Sequence, residues 1–352
     1  MAKNNIAKLR NLIREDEIVV IQPGSNMLYL IDFTEEVMER PILLFVTKDE
    51  EFILAPKMYE EQLSQLRLPI ITYLDGEDPY EKIHLKTGLK LLVDETLHSR
   101  FLIKLIHKLK PSSIDLVSDT MKKLRMRKDE EEILRIESAV KLAENVFEEF
   151  INRIKEGMTE IQLSIELRKI MIELGIEPSF DPITTSAENT SIPHLRNTNR
   201  KIHKGDIIII DYGVKYKGYC SDITRTLSLG PPSDAFALKI FEIVRNAKDL
   251  VEDNLVEGIK GFEADKVARD YITSKGYGDK FIHRTGHGIG IDVHEPPFLS
   301  PDYNEKLENR MVFTVEPGIY FPGRFGIRLE DMVILNGRGI VLNKKQDEII
   351  IV

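Results

Sequence analysis

The sequence contains a single cysteine, Cys220, and no tryptophan among its 352 residues. One cysteine excludes an internal disulfide, and such cysteine usage suits the reducing cytoplasm. No run of about 18 consecutive apolar residues is present, and a membrane-spanning helix needs one. The first residues, MAKNNIAKLRNLIRE, lack the apolar stretch of a signal peptide. We therefore expect a cytoplasmic protein with no membrane as partner.

An excess of basic charge is also absent, since the formal net charge is −9. A nucleic-acid-binding protein needs a basic face, so this composition argues against nucleic acid as a partner. Hydrophobic residues make up 42 % of the chain. Its length is sufficient for two domains, each with its own core.

The first predicted domain covers residues 1–125, where short apolar runs alternate with segments of helical period. The apolar runs lie at 18–21, 42–46, 52–54, 70–73 and 91–93, and the helical segments at 4–14, 57–66 and 97–109. This alternation predicts an α/β domain with a mixed sheet. It contains no motif of clear chemical meaning.

The second predicted domain covers residues 126–352 and begins with a long amphipathic helix. Asp129 and the three glutamates after it suit a helix N-terminus. Apolar residues then recur every three or four positions, which predicts a helix that ends at Gly157. Thr159 and Gln162 have the spacing of a capping box for the next helix, which should stop at Gly175.

A weak internal repeat follows in the same domain. Gly157 and Gly175 correspond to Gly258 and Gly276, about 101 residues later, with helices of equal length between them. Each half continues into a loop with histidines and a hairpin that carries two acids. We interpret 126–352 as one α+β domain with a pseudo-twofold repeat, in which helices cover one face of antiparallel hairpins.

The two hairpins bring acidic side chains together. With the first turn at Tyr216-Lys217, counting outward along the strands places Asp211 directly opposite Asp222. In the second hairpin, which turns through residues 322–324, the same counting places Glu316 opposite Glu330. Like charges that face each other across two strands destabilise a sheet. Apolar strands tolerate four carboxylates only if protons or cations lie between them, so a metal site is the leading hypothesis.

A glycine-rich segment with two histidines lies between the hairpins, at residues 285–295. His287 and His294 are seven residues apart within it, and its glycines allow the backbone to approach a ligand closely. A lone histidine is more often structural, but two beside four strand carboxylates favour a site. His203 and His283 are expected to be structural or surface groups.

These motifs resemble a known family. They are Asp211, Asp222-Ile223-Thr224-Arg225-Thr226, Gly286-His287-Gly288, Val293-His294-Glu295, Val315-Glu316-Pro317-Gly318-Ile319-Tyr320 and Gly326-Ile327-Arg328-Leu329-Glu330-Asp331. In this order they resemble the pita-bread metallopeptidases, which include Xaa-Pro dipeptidase (prolidase), aminopeptidase P and methionine aminopeptidase, with creatinase as a metal-free relative. The resemblance covers 126–352, and residues 1–125 are similar to the creatinase-type N-terminal domain of the proline-specific members.

The resemblance implies a site with two divalent metal ions. Asp211 would chelate one ion, His287 and Glu316 would hold the other, and Asp222 and Glu330 would bridge both. Four carboxylates balance the charge of two such ions and leave one bridging hydroxide as the nucleophile. Oxygen-rich ligation with one imidazole suits Mn, Co or Fe better than an all-sulfur zinc site, and the choice among Mn, Co, Fe and Zn stays open.

Four catalytic residues are expected, and the resemblance implies the roles of His294 and His194. His294 would contact the substrate amide and its developing charge, and His194 would help to hold the proline-side product and the tetrahedral intermediate. Glu316 would carry the proton to the leaving nitrogen. Arg328 lies two residues before Glu330, on the same face of its strand, and would stabilise an anion or orient that acid.

The expected function is metal-dependent hydrolysis of Xaa-Pro bonds in dipeptides or short peptides, by a homodimer as in the proline-specific relatives. A dipeptidase is favoured over an aminopeptidase P because the N-terminal domain is short. A creatinase-like hydrolase and a non-catalytic binding module are the alternatives, but neither would need all five ligands.

One position departs from the pattern of many dipeptidases. These enzymes have an arginine four residues after the second histidine, which binds the terminal carboxylate of the substrate, whereas this chain has Phe298. Arg196, Arg284 and Arg324 are the candidates to replace it. Without such a residue, longer peptides would be accepted.

Overall fold

A computed structural model describes residues 5–352 of the protein. The chain forms two compact units, Met1–Arg125 and Met126–Val352. No helix within the described residues is both long enough and apolar enough to cross a membrane.

The first unit is built on one six-stranded mixed sheet, with strand order β4-β3-β2-β1-β5-β6. Its strands are β1 (Glu17–Ile21), β2 (Leu43–Val46), β3 (Glu51–Pro56), β4 (Ile70–Tyr73), β5 (Lys90–Val93) and β6 (Ile114–Leu116). Its helices are α1 (Ile6–Leu12), α2 (Ser25–Ile31), α3 (Glu60–Ser64) and α4 (Ser99–Leu109), and α5 (Ser118–Met126) leads to the boundary. The core forms where apolar residues of β1, β2, β3 and β5 meet α4. The predicted α/β architecture is confirmed.

Four helices belong to the second unit: α6 (Glu130–Ile151), α7 (Glu160–Glu173), α8 (Phe236–Asn254) and α9 (Gly261–Ser274). A capping box between Asp129 and Glu132 starts α6, and one between Thr159 and Gln162 starts α7. Helix α6 ends before Gly157, the predicted end, because the chain turns away after Ile151.

The strands of the second unit form four antiparallel or mainly antiparallel sheets. The first half contributes β7 (Glu177–Pro178), β8 (Ile183–Ser186), β9 (Ile207–Tyr212), β10 (Val214–Tyr216), β11 (Tyr219–Cys220) and β12 (Ile223–Ser228). The second half contributes β13 (Gly286–Gly288), β14 (Glu295–Leu299), β15 (Val312–Val315), β16 (Gly318–Phe321), β17 (Phe325–Arg328), β18 (Asp331–Asn336), β19 (Arg338–Val341) and β20 (Ile350–Ile351). The sheet orders are β11-β10-β7, β20-β12-β9-β8, β14-β13-β15-β18-β19 and β16-β17.

The pseudo-twofold repeat is visible at the ends of α7 and α9. Both helices have 14 residues, and both end in the same pair of backbone hydrogen bonds. Gly175 N–H donates to Ile172 O and Ile176 N–H to Met171 O, and the equivalent bonds of the second half start from Gly276 and Tyr277. This arrangement is a Schellman motif, whose left-handed position glycine fills without strain. The predicted α+β architecture with a repeat is confirmed.

The predicted register of the first hairpin is wrong by two residues. The turn lies at Lys217 and Gly218, with φ of 47° and 84°, and not at Tyr216-Lys217. Two successive positive φ values are typical of the type I′ turn, a two-residue hairpin turn whose twist matches that of the flanking strands. Asp211 therefore pairs with Thr224, and Asp222 lies diagonally from it, still within reach on the same face.

The predicted register of the second hairpin is confirmed. Phe321 pairs with Phe325 on β16 and β17, and Val315 pairs with Asp331 on β15 and β18. Glu316 and Glu330 lie between these pairs in the same register, so they are opposite each other where the chain passes from one two-stranded ladder to the next.

Candidate metal centre and active site

Predicted site residues from both halves of the second unit line one cavity of about 290 Å³. All five predicted metal ligands contribute to its wall, as do the other predicted catalytic residues: Asp211, Asp222, His287, Glu316, Glu330, His194, His294 and Arg328. The hairpins supply the acids and the glycine-rich segment supplies His287 and His294. The structure thus brings together every residue singled out for the site.

The acids form two overlapping clusters of the kind that holds metal ions. Ligand atoms of Asp211, Asp222 and Glu330 all lie within 4.8 Å of one another, and so do those of His287, Glu316 and Glu330. Glu330 belongs to both clusters. A carboxylate shared in this way is placed to bridge two ions.

Two carboxylate oxygens of the predicted ligands are available to bind a cation. Oδ1 of Asp211 and Oδ1 of Asp222 are buried and have no hydrogen-bond partner in the described part of the chain. A buried charged oxygen without a partner is costly, so these atoms suit a cation. The donor set of the chain therefore fits divalent metal ions.

Electrostatic strain in the metal-free acids supports the same conclusion. Burial, followed by repulsion from Glu330 and Asp211, raises the pKa of Asp222 well above its ordinary value. Burial and the charge of Glu316 raise the pKa of Glu330 in the same direction. For Glu316 itself, burial raises the pKa to about 7. Protons or metal ions must neutralise a cluster of this kind.

His287 presents its Nε2 atom to the acids. Nδ1 lies 3.1 Å from the carbonyl oxygen of Gly288, so it can donate its proton there and leave the Nε2 lone pair free. Nε2 lies 3.4 Å from Oε1 of Glu316 and 3.6 Å from Oδ2 of Asp222. Burial lowers the pKa of His287 well below its ordinary value, which keeps the ring neutral, as a metal ligand must be.

His294 lies against His287, with ring centroids 4.2 Å apart. Its ring also forms a third possible ligand cluster with Asp222 and His287, although the sequence analysis gave it a role toward the substrate. Burial and then the nearby charge of Arg284 lower the pKa of His294. A neutral ring at this position can donate a hydrogen bond to a substrate.

Arg328 is buried and connects several parts of the wall. Nη2 lies 2.6 Å from Oδ2 of Asp211, Nη1 lies 3.4 Å from the hydroxyl of Tyr320, and Nε lies 3.3 Å from Oγ1 of Thr224. Thr224 in turn donates to Oε2 of Glu330 at 2.8 Å. These contacts orient the acids, so the guanidinium is not available as a free anion-binding group.

The loop that carries His194 is fixed by the buried carboxylate of Glu160. Oε1 accepts from the amide and the hydroxyl of Ser186 at 2.7 and 2.8 Å, and Oε2 accepts from the amide and the hydroxyl of Thr198 at 3.0 and 2.7 Å. Asn189 donates to both oxygens. This carboxylate therefore holds the loop on both sides of His194.

Sequence reasoning gave no role to three residues that line the cavity or contact its wall. Thr224 lies two residues after Asp222, so strand alternation could have found it. His283, expected to be structural or superficial, lines the cavity and has Nε2 2.9 Å from the hydroxyl of Tyr320. Tyr320 ends one of the quoted motifs, but its contact with His283 joins segments 37 positions apart, so the sequence alone does not signal it.

A model of metallopeptidase family M24 matches residues 135–336, the segment that contains all of these site residues. The chain belongs to metallopeptidase family M24. The predicted resemblance is thereby confirmed, and the protein is a metal-dependent peptidase.

Solved structures and curated relatives agree with this M24 assignment. The chain is 38 % identical to a prolidase from Thermococcus sibiricus, with a TM-score of 0.92 and coverage of 100 % of this chain and 99 % of that one. It is 39 % identical to a dipeptidase from Pyrococcus horikoshii OT3, with a TM-score of 0.93 and coverage of 99 % and 100 %. It is also 42 % identical over 238 residues to the uncharacterized peptidase YqhT of Bacillus subtilis (strain 168), and this alignment covers 67 % of each chain. These likenesses confirm the pita-bread fold and do not favour the creatinase-like alternative.

Proposed function

We propose that this M24 peptidase hydrolyses Xaa-Pro bonds, and that dipeptides are its substrates. The observation that carries the proposal is the pair of overlapping ligand clusters that share Glu330. The similar prolidase and dipeptidase structures, which span nearly the whole chain, support the choice of substrate. Residues 126–352 would be the catalytic domain, and residues 1–125 the creatinase-type N-terminal domain.

Asp211, Asp222 and Glu330 would hold one divalent ion, and His287, Glu316 and Glu330 the other, with Asp222 as the second bridge. Two bound ions supply Lewis acidity at the scissile carbonyl and activate water. Oxygen ligands dominate the donor set, which suits Mn, Co or Fe better than an all-sulfur zinc site would. The two unpartnered oxygens of Asp211 and Asp222 support this occupancy.

Glu316 would carry the proton. Its carboxylate lies at the cavity wall beside His287, and a carboxyl group within reach of the reacting atoms can accept and release a proton. The nitrogen of an Xaa-Pro bond carries no hydrogen, so it must receive a proton as it leaves. The carboxyl group of Glu316 would deliver it.

His294 and His194 would orient the substrate. His294 lies in ring contact with His287, where it would approach the scissile carbonyl, and His194 lines the same cavity. Hydrogen bonds from these two rings would hold the substrate carbonyl and the proline carboxyl side. Arg328 would orient Asp211 and, through Thr224, Glu330.

Turnover of Ala-Pro and of Ala-Pro-Ala by protein supplied with Mn or Co tests this proposal. A dipeptidase cleaves Ala-Pro and leaves Ala-Pro-Ala largely intact. Release of alanine only from the tripeptide would reject the dipeptidase assignment in favour of an aminopeptidase. No cleavage of either peptide by protein that binds metal would leave a binding function instead.

We further propose a homodimer in the cytoplasm. The resemblance to proline-specific relatives supports the dimer, and the single buried cysteine is compatible with a reducing compartment. Light scattering on the purified protein measures the assembly directly, and a monomeric mass at micromolar concentration would refute the dimer.

A further inference from the structure

One cationic side chain in the cavity wall has no anionic partner among the described residues. Arg284 lines the cavity together with His287, His294 and Glu316 and is only partly buried. Within residues 5–352, its guanidinium makes no hydrogen bond and no ion pair at contact distance. Because a partly desolvated guanidinium gains most from a paired carboxylate or phosphate, this one is available to a ligand.

The other arginines near the cavity are occupied or lie elsewhere. Arg328 is committed to Asp211. Arg324 donates to Asp234 at 2.7 Å and lies over the ring of Phe236, with its guanidinium carbon 4.8 Å from the centroid. Arg196 is exposed and lines a neighbouring groove instead of the cavity. Of the three arginines considered from the sequence, Arg284 is thus the one in the cavity wall.

Phe298 holds Arg284 in place. The guanidinium carbon of Arg284 lies 4.6 Å from the centroid of the Phe298 ring, and that ring is fixed in turn by an edge contact with Tyr303 at 5.7 Å. Phe298 pairs with His287 across β13 and β14. Stacking on an aromatic face leaves the N–H groups at the edge of a guanidinium free to bind an anion.

We propose that Arg284, supported by Phe298, binds the terminal carboxylate of the substrate and so restricts the enzyme to dipeptides. This inference rests on the proposed function. In an Xaa-Pro dipeptide the proline carries a free carboxylate, whereas in a longer peptide the same position is a neutral amide. A carboxylate that enters the cavity finds a fork of N–H donors in Arg284. A neutral amide gains much less from that fork, and a longer chain must also pass it.

The experiment compares Ala-Pro with Ala-Pro amide, which has the same scissile bond but no terminal charge. In Arg284→Met, kcat/KM for Ala-Pro should fall by about 10- to 100-fold, the range expected for a lost charged hydrogen bond. Hydrolysis of Ala-Pro amide should change by less than about threefold on the same basis. In the same variant, inhibition by L-proline should weaken in parallel, while inhibition by L-prolinamide should be unchanged. These inhibition constants report binding directly, so they remain useful if Ala-Pro amide is cleaved too slowly to measure.

Matched variants separate recognition from general damage. Arg196→Met removes an arginine outside the cavity and should leave the preference for Ala-Pro intact. Phe298→Leu removes the stacking surface without removing charge, so it should weaken that preference by less than Arg284→Met does. It also serves as the second test if Arg284→Met fails to fold by circular dichroism.

The outcomes distinguish this inference from the proposed function. If metal-loaded wild-type protein cleaves no Xaa-Pro substrate, the proposed function fails. If wild type cleaves Ala-Pro but Arg284→Met loses equal activity on Ala-Pro and on Ala-Pro amide, Arg284 does not bind the terminal carboxylate. A loss confined to Glu-Pro, with Ala-Pro unaffected, would also overturn the inference, because Arg284 would then bind an acidic first residue.

Discussion

Oδ2 of Asp211 lies 2.6 Å from Nη2 of Arg328, whereas Oδ1 of the same carboxylate is buried without a hydrogen-bond partner among the described residues. The arginine therefore occupies one oxygen of the acid and leaves the other directed to the cavity. Since Arg328 also approaches Tyr320 and Thr224, one planar group fixes the orientation of several parts of the wall.

Arg328→Lys should weaken metal binding and turnover. Lysine keeps the positive charge but cannot contact Asp211, Tyr320 and Thr224 together, because it lacks the planar fork. Losing a partner that orients a metal ligand typically costs about 10- to 100-fold in metal affinity or activity. Calorimetric titration with Mn or Co and measurement of kcat check both effects. Arg338→Lys, at an exposed position of β19, is the control, and equal behaviour of the two variants would contradict the orienting role.

Asp222→Asn should abolish most metal binding and nearly all turnover while the protein stays folded. Asp222 belongs to the same cluster as Asp211 and Glu330, and an amide cannot donate the charge that two ions require. The metal-free variant should melt at or above the wild-type temperature, because one of the mutually repelling acids is gone. Metal analysis after gel filtration and a thermal melt provide the measurements. A variant that keeps full activity would refute the bridging role, and exposed Asp115→Asn serves as the control.

Much of this site could be predicted from the sequence because its ligands lie on two hairpins with simple periodicity. The second hairpin is correct in register, since its turn residues 322–324 leave one consistent pairing. The first hairpin is displaced by two residues because the turn depends on Lys217 adopting a positive φ, which side-chain pattern does not reveal. An even displacement keeps each acid on its own face, so the candidate cluster survives the error.

The remaining features depend on contacts between distant segments. Tyr320 and His283, for example, meet only after the second half has folded. The stacking of Arg284 on Phe298 likewise needs β13 and β14 to be paired. Neither contact leaves a periodic signal in the sequence, because each involves one residue from each of two elements.

Glu160→Gln should destabilise the protein and disorder the loop that carries His194. The carboxylate accepts hydrogen bonds from Ser186, Asn189 and Thr198, and an amide would direct an N–H group at several of these donors. Buried donors left without an acceptor cost about 1–3 kcal/mol each. We expect a clearly lower melting temperature, together with a higher KM for Ala-Pro. Glu137→Gln, an exposed change on α6, controls for the loss of charge. A Glu160→Gln protein with wild-type melting temperature and KM would show that the loop is held by other contacts.

Glu316→Gln should change how the stability of the metal-free protein depends on pH. Burial raises the pKa of Glu316 from its ordinary value of 4.5 to about 7, so the folded state holds its proton over a range in which the unfolded state has lost it. The free energy of unfolding therefore falls as pH rises from 4.5 to 7. Below pH 4.5, glutamine and protonated glutamate are both neutral, so the two proteins should have similar free energies of unfolding. Above pH 7, the variant should be more stable than wild type by on the order of 3 kcal/mol.

Thermal melts of wild type and Glu316→Gln in chelator, at intervals from pH 4 to 8, measure this difference. Comparing the two proteins at each pH cancels the contributions of the other titrating groups, including His283, whose pKa is lowered to about 3 by burial. Adding Mn or Co at pH 7.5 should then raise the melting temperature of wild type more than that of the variant, because ligands that bind only the folded state stabilise it and the variant lacks one ligand. Melting curves that stay parallel from acid to neutral pH would show that Glu316 is ionised in the metal-free fold, and would refute the raised pKa of this carboxyl group.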